Sequence, residues 1–155
     1  MTEPVVIRPA RREELPAIVA MRDALNALEL RGSPHAPIQR LTADEFAAAW
    51  GATFDDPGHH WVLVEAGALP VGFGLIYLLP KTNPPGAFIH WAYLDPAHRR
   101  LGLGQRLLDD LVGWARGQGA RRIELQFIEG NEAARRFWTK AGFRPYAQKC
   151  VYYLD

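Results

Sequence analysis

Cysteine is nearly absent: Cys150 is the only one in 155 residues, so the chain forms no internal disulfide and builds no multi-cysteine zinc site. Net charge is small as well. Lys and Arg total 18 against 17 Asp and Glu, a formal +1, and that balance supplies no strong field for nucleic acid or an anionic membrane. The arginine pairs at 11/12, 121/122 and 135/136 therefore read as solvated faces. Long apolar runs are also missing. The longest, Val71 to Leu79, falls well short of the roughly 20 residues a spanning helix needs, and Met1-Thr2-Glu3-Pro4 lacks the basic-then-apolar pattern of a secretion signal. The expectation is a cytoplasmic location in a reducing compartment, with no membrane and no nucleic-acid partner. Repeats and low-complexity tails are absent; the 14 glycines and 12 prolines are dispersed, which points to many tight turns. What is present is an apolar content of 48%, enough for one domain over residues 1–155 to bury a core.

Val5 to Arg8 is a short β-prone run closed by Pro9. Leu15, Ile18, Val19, Arg22, Leu25 and Leu28 then repeat at helical spacing on a helix starting near Arg11, with Pro16 in its tolerant early turns. Gly32, Pro34 and Pro37 mark a loop up to Arg40, and Thr42-x-x-Glu45 is a capping box opening a second helix through Trp50 and Phe54. Alternation follows: Trp61 to Glu65, a turn at Gly67, Val71 to Leu79, a proline-rich turn, and Ala87 to Leu94 predict three successive antiparallel strands. Leu103, Leu107, Leu108, Leu111, Trp114 and Ala115 mark a helix stopped by Gly117 and Gly119. A strand at Arg122 to Ile128, a helix opened by Asn131 and ended by Gly142, and one or two closing strands in Phe143 to Leu154 complete the chain. The order βααβββαβαβ(β) predicts an α/β fold, a mixed and mostly antiparallel sheet flanked by helices.

Between the third of those strands and the following helix lies Arg99-Arg100-Leu101-Gly102-Leu103-Gly104-Gln105. A helix start has unpaired N–H groups and partial positive charge, Gly102 and Gly104 remove Cβ atoms from the approach, and two arginines add charge, which suits a pyrophosphate. A Rossmann fingerprint would need glycine where Leu107 stands, and a P-loop would need Gly-Lys-Ser/Thr, so both of those nucleotide sites are excluded. A helix start that merely uses glycines to turn is the plain alternative.

Leu94-Asp95-Pro96-x-x-Arg99-x-x-Gly102-x-Gly104 resembles the acyl-coenzyme A motif of the GNAT N-acetyltransferase superfamily. Downstream, the run Asn131 to Phe143, containing Ala134, Phe137, Trp138 and Gly142, is similar to the family's second motif, and the element order is the family's. The resemblance covers nearly the whole chain. It implies that the strand ending at Leu94 splays from the next, with acetyl-CoA in the gap. The backbone of Ala92, Tyr93 and Leu94 would then bind the pantetheine, Arg99, Arg100, Leu101, Gly102, Leu103, Gly104 and Gln105 the pyrophosphate, and Asn131 and Trp138 would face the cofactor arm. Asn131 is equally a good N-cap. Trp138 departs from the family, which commonly has a tyrosine there to protonate the departing thiolate; an indole N–H is no usable acid. An alkyl thiol, with a pKa of roughly 8.5, leaves fairly well without one, and Tyr93 and Tyr146 are substitute candidates.

The family commonly draws the amine proton to a carboxylate on the strand ending at Leu94. None stands there. His90 occupies a place where some polyamine acetyltransferases carry Glu, and histidine titrates near neutrality, so His90 is the candidate catalytic base, with Glu65, Tyr93 or water as alternatives and a merely structural histidine as the bland reading. His59 and His60 face opposite ways if extended and make no convincing metal pair, so no metal is expected. Acceptor specificity should come from Leu28 to Leu41, Lys81 to Gly86 and the C-terminal strands; Glu29 and Glu45 could attract a cation or simply be solvated. Two functions follow: an acetyl-CoA-dependent N-acetyltransferase for a primary amine of a small molecule or peptide, or an acyl-CoA sensor without turnover. Five tryptophans and the apolar Val151 to Leu154 strand suggest a homodimer.

Overall fold

The computed structural model describes residues 3–99 and 101–154. The chain forms two compact units: residues up to 25 with 40–126, and residues 26–39 with 127 onward. The first holds a five-stranded sheet, β1 (Val5–Pro9), β2 (His59–Ala66), β3 (Leu69–Leu79), β4 (Gly86–Leu94) and β5 (Arg122–Leu125), paired in that order. All neighbours are antiparallel except β4 and β5. Three antiparallel strands in succession follow from the tight turns between them, whereas the parallel step from β4 to β5 needs a crossover, supplied by α3 (Leu103–Gly117).

The helices α1 (Leu15–Gly32) and α2 (Ala43–Trp50) precede β2. A 3-10 turn at Arg12–Glu14 delays α1 beyond the Arg11 start that spacing suggests, and α2 stops at Trp50, with Gly51–Asp55 continuing as a 3-10 turn. The capping box forms as predicted: Glu45 N donates to Thr42 Oγ1 at 3.2 Å and Thr42 N to Glu45 Oε2 at 2.8 Å. Glu45 is thereby committed to the helix start.

The faces of the sheet follow from register. Val62, Gly74 and Ala92 are paired across β2, β3 and β4 and share one face. A Cβ on Gly74 would lie 3.3 Å from Leu107 and 3.4 Å from Leu111, so glycine there lets α3 settle closely. The opposite face carries Trp61, Leu75 and Trp91, also mutually paired, and meets α2 through Phe46, whose ring lies 5.5 Å from Trp91 and 6.3 Å from Trp61. Phe46, Leu63, Phe73, Leu75 and Leu111 are fully buried, each contributing about 1.5–3 kcal/mol by leaving water. At the far edge Arg8 pairs with both Glu14 and Glu65. The Arg8 hydrogen bond, against the opposing effect of burial, holds the Glu14 carboxyl down at about 2.

The second unit contains α4 (Glu132–Lys140). Asn131 caps it, its Oδ1 accepting from Ala134 N at 3.1 Å. One expectation is corrected here. Residues 143–154 form no strand, and β5 ends at Leu125 instead of Ile128. The β-prone side chains exist, but Tyr146, Val151, Tyr152, Tyr153 and Leu154 are all exposed, and propensity without burial against a neighbour does not make a strand. The segment is held instead through Tyr153, whose hydroxyl donates to His35 O at 2.6 Å.

Candidate active site

The parallel ladder between β4 and β5 runs only from Gly86 to Ile89 on β4, opposite Arg122 to Leu125. Beyond Ile89, β4 continues to Leu94 with β3 alone beside it. The stretch His90 to Leu94 is therefore an open inner edge, able to take an extended ligand arm as an added strand. Ala92 is half-buried there, while the side chains of Tyr93 and Leu94 are buried.

At the end of this edge the chain turns into α3. Asp95 Oδ1 accepts from Ala97 N at 2.8 Å, starting the short 3-10 turn Pro96–His98. Arg99 is exposed and its Nε donates to Leu94 O at 3.1 Å, which ties the guanidinium to the strand end. Gly102 is the N-cap of α3 at φ 72, ψ 7, the left-handed region that favours glycine, and it makes no side-chain cap bond. The N–H groups of Leu103, Gly104 and Gln105 open the helix and have no intrahelical acceptor. The Gln105 side chain donates instead to Asp109 at 2.8 Å, leaving its backbone as the group available to a ligand. Leu101 is exposed, and Arg100 lies outside the described residues. Chemically, such a helix start can take an anionic group, and the open strand edge before it an extended arm.

The candidate base sits on an irregularity that alternation does not reveal. Ile76 pairs with Ile89 and Leu75 with Trp91, so His90 is an extra residue, a β-bulge in β4. Its ring lies 4.2 Å from that of its neighbour Trp91, 4.8 Å from Trp50 at the end of α2, 5.9 Å from Tyr77 and 6.1 Å from Phe88. The bulge thus puts His90 and Trp91 on the same face. Tyr77 Oη and His90 Nδ1 are 3.4 Å apart. Burial among these rings lowers the His90 pKa to about 4, so the imidazole is neutral at physiological pH. Motif spacing marks neither Trp50, Tyr77 nor the bulge; the aromatic residues near His90 in β4, Phe88 and Trp91, are the signal that the sequence offers.

Glu65 is engaged by Arg8. Tyr93 is buried, and burial raises its pKa above the usual phenol value, whereas Tyr146 is exposed. His59 and His60 face opposite ways: His59 lies 5.2 Å from Tyr77, and His60 stacks at 5.3 Å on Trp114 with its Nε2 2.8 Å from Asp110 Oδ1. Among the described residues no three His, Cys, Asp or Glu side chains are grouped to hold a metal ion, and no helix is long and apolar enough to cross a membrane. In the second unit Glu29 is half-buried, and burial pushes its carboxyl pKa up. Trp138 is buried there, edge-on to Phe137 at 4.9 Å and Phe143 at 5.3 Å.

Comparison with known proteins agrees with this architecture. The chain is 32% identical over 106 residues to an N-alpha-acetyltransferase RimI of Mycobacterium tuberculosis, a match covering 68% of this chain and 65% of that relative. In fold it is similar to a Bacillus halodurans protein (TM-score 0.78, 17% identity, 96% of this chain and 99% of that one). It is also similar to a predicted acetyltransferase of Clostridium acetobutylicum solved with acetyl-CoA (TM-score 0.77, 17% identity, 97% and 96%). Residues 20–143 match the acetyltransferase (GNAT) family, and with four-fifths of its length so matched, the chain belongs to that family.

Proposed function

We propose that residues 1–155 act as a single N-acetyltransferase domain, transferring the acetyl group of acetyl-CoA directly to a primary amine of a small molecule or peptide. The observation that carries this reading is the end of the β4–β5 ladder at Ile89, which leaves an open edge from His90 to Leu94 leading through the Pro96–His98 turn to the uncapped start of α3. Ala92, Tyr93 and Leu94 offer backbone groups to the pantetheine, and the segment Arg99 to Gln105, Arg100 included, takes the pyrophosphate. Asn131 and Trp138 complete the cofactor-binding set by family position. A backbone N–H near Ala92 polarises the thioester carbonyl. The amine nitrogen attacks that carbon, the C–S bond breaks, and coenzyme A departs as a thiolate whose conjugate acid has a pKa of roughly 8.5. His90 takes the proton shed by the nitrogen. The thiolate needs no tyrosine acid at the Trp138 position. The protein acts in the cytoplasm, without metal.

The deciding experiment is release of free thiol from acetyl-CoA across a panel of polyamines, aminoglycosides, amino acids and peptides. Amine-dependent release above the rate of hydrolysis is expected. Tight cofactor binding with no such release would make the chain an acyl-CoA sensor, the reading that Trp138 in the tyrosine position favours. The exposed Val151, Tyr152 and Leu154 support a homodimer; sedimentation at micromolar concentration is expected to give about twice 17.4 kDa, and a monomer rejects it.

A further inference from the structure

A neutral imidazole has one N–H and one lone pair, so a histidine base works only in the tautomer that turns its lone pair toward the substrate. Burial keeps His90 neutral, and nothing in its own side chain selects the tautomer. Among the described residues, the hydrogen-bond partner of its Nδ1 is Tyr77 Oη, at 3.4 Å. Tyr77 is itself held in place: it pairs with His59 on β2 and Phe88 on β4, its ring lies 5.2 Å from the first and 5.7 Å from the second, and burial raises its pKa, so it stays a phenol. Behind it, Asp56 Oδ2 lies 3.2 Å from His59 Nδ1. The bulge brings His90 back over this fixed phenol.

We propose that Tyr77 is a positioning residue: its hydroxyl oxygen accepts a hydrogen bond from His90 Nδ1–H, fixes that tautomer, and leaves the Nε2 lone pair free toward the acceptor. When Nε2 takes a proton from the amine nitrogen, Nδ1 keeps its own, and the same bond strengthens because its donor has become cationic. Tyr77 thereby offsets part of the burial penalty on the imidazolium without itself gaining or losing a proton. The proposal rests on the reading of His90 as the base, and its test separates the two.

The test is nitrogen NMR of histidine-labelled protein, with His90 assigned by the signal lost in His90→Gln. Wild type should show a protonated, pyrrole-like Nδ1 and a bare, pyridine-like Nε2. Tyr77→Phe keeps the ring between His59 and Phe88, so the fold should persist, and it should convert His90 wholly or partly to the opposite tautomer. With an acceptor in hand, Tyr77→Phe should also lower kcat by about 3- to 10-fold, the loss of one hydrogen bond, with KM for acetyl-CoA unchanged. A wild-type spectrum with the proton on Nε2, or a tautomer unaffected by Tyr77→Phe, overturns the assignment. Full activity in His90→Gln would instead refute the base and leave the spectroscopic answer standing.

Discussion

Replacing His90 with Ala is expected to lower kcat/KM by about 10² to 10⁴, the usual worth of a positioned general base, while leaving acetyl-CoA affinity nearly unchanged. The low His90 pKa decides how that loss is distributed with pH. A primary ammonium has a pKa of roughly 10, so transferring its proton to an imidazole of pKa about 4 is uphill by about 8 kcal/mol. His90 is then too weak a base to prepare the nucleophile. On the proposed reading the amine arrives already neutral, and His90 acts after attack, when the nitrogen bonded to the carbonyl carbon has become strongly acidic. Two consequences follow for wild type. The rate should rise with pH as the acceptor loses its proton, and the limb belonging to His90 should lie near pH 4, where the imidazole becomes cationic and loses its lone pair, well below the ordinary histidine value of about 6.5. His90→Ala should remove the lower limb and keep the acceptor's. His90→Gln retains volume and hydrogen bonding, so packing and proton transfer separate there: full activity with an unchanged profile would make His90 structural.

The same residue marks the boundary of what sequence shows. Strict alternation along Phe88 to Leu94 would turn His90 and Trp91 to opposite faces, and only the pairing of Ile76 with Ile89 and Leu75 with Trp91 reveals that one residue is extra. A bulge depends on the partner strand, so one strand's sequence cannot display it. The features that were legible are local. Thr42 and Glu45 meet across a single turn, Asn131 bonds Ala134 three residues on, and Gly102 sits where a left-handed residue must start α3. The misread element had local signals too. Val151, Tyr152 and Tyr153 have strand propensity, but a strand also needs an edge to pair with and a face to cover, and those side chains stay exposed. Nothing in the sequence of β3 marks Tyr77, because its neighbours His59, Phe88 and His90 come from the two adjoining strands.

The cofactor placement is open to a sharper test than the base, because Gly102 and Gly104 differ in what they require. Gly102 has φ 72, where a side chain costs about 1–2 kcal/mol and would disturb the helix start itself. Gly104 is the second residue of α3, where the backbone is helical and Val has a slightly better helix propensity than Gly. Gly104→Val should therefore fold normally and keep or slightly raise its Tm. What it changes is the approach to the open N–H groups: a branched side chain now projects where phosphate oxygens must come close to the backbone. Affinity for acetyl-CoA measured by calorimetry should fall more than tenfold, over about 1.4 kcal/mol. Acetyl-pantetheine lacks the pyrophosphate, so its kcat/KM should be nearly the same in variant and wild type, since the open edge from His90 to Leu94 is untouched. A folded Gly104→Val protein that binds acetyl-CoA as tightly as wild type would move the pyrophosphate away from α3. Equal losses for both thioesters would mean that the substitution had disturbed the strand edge as well, and the uncapped helix start could no longer be credited with the binding.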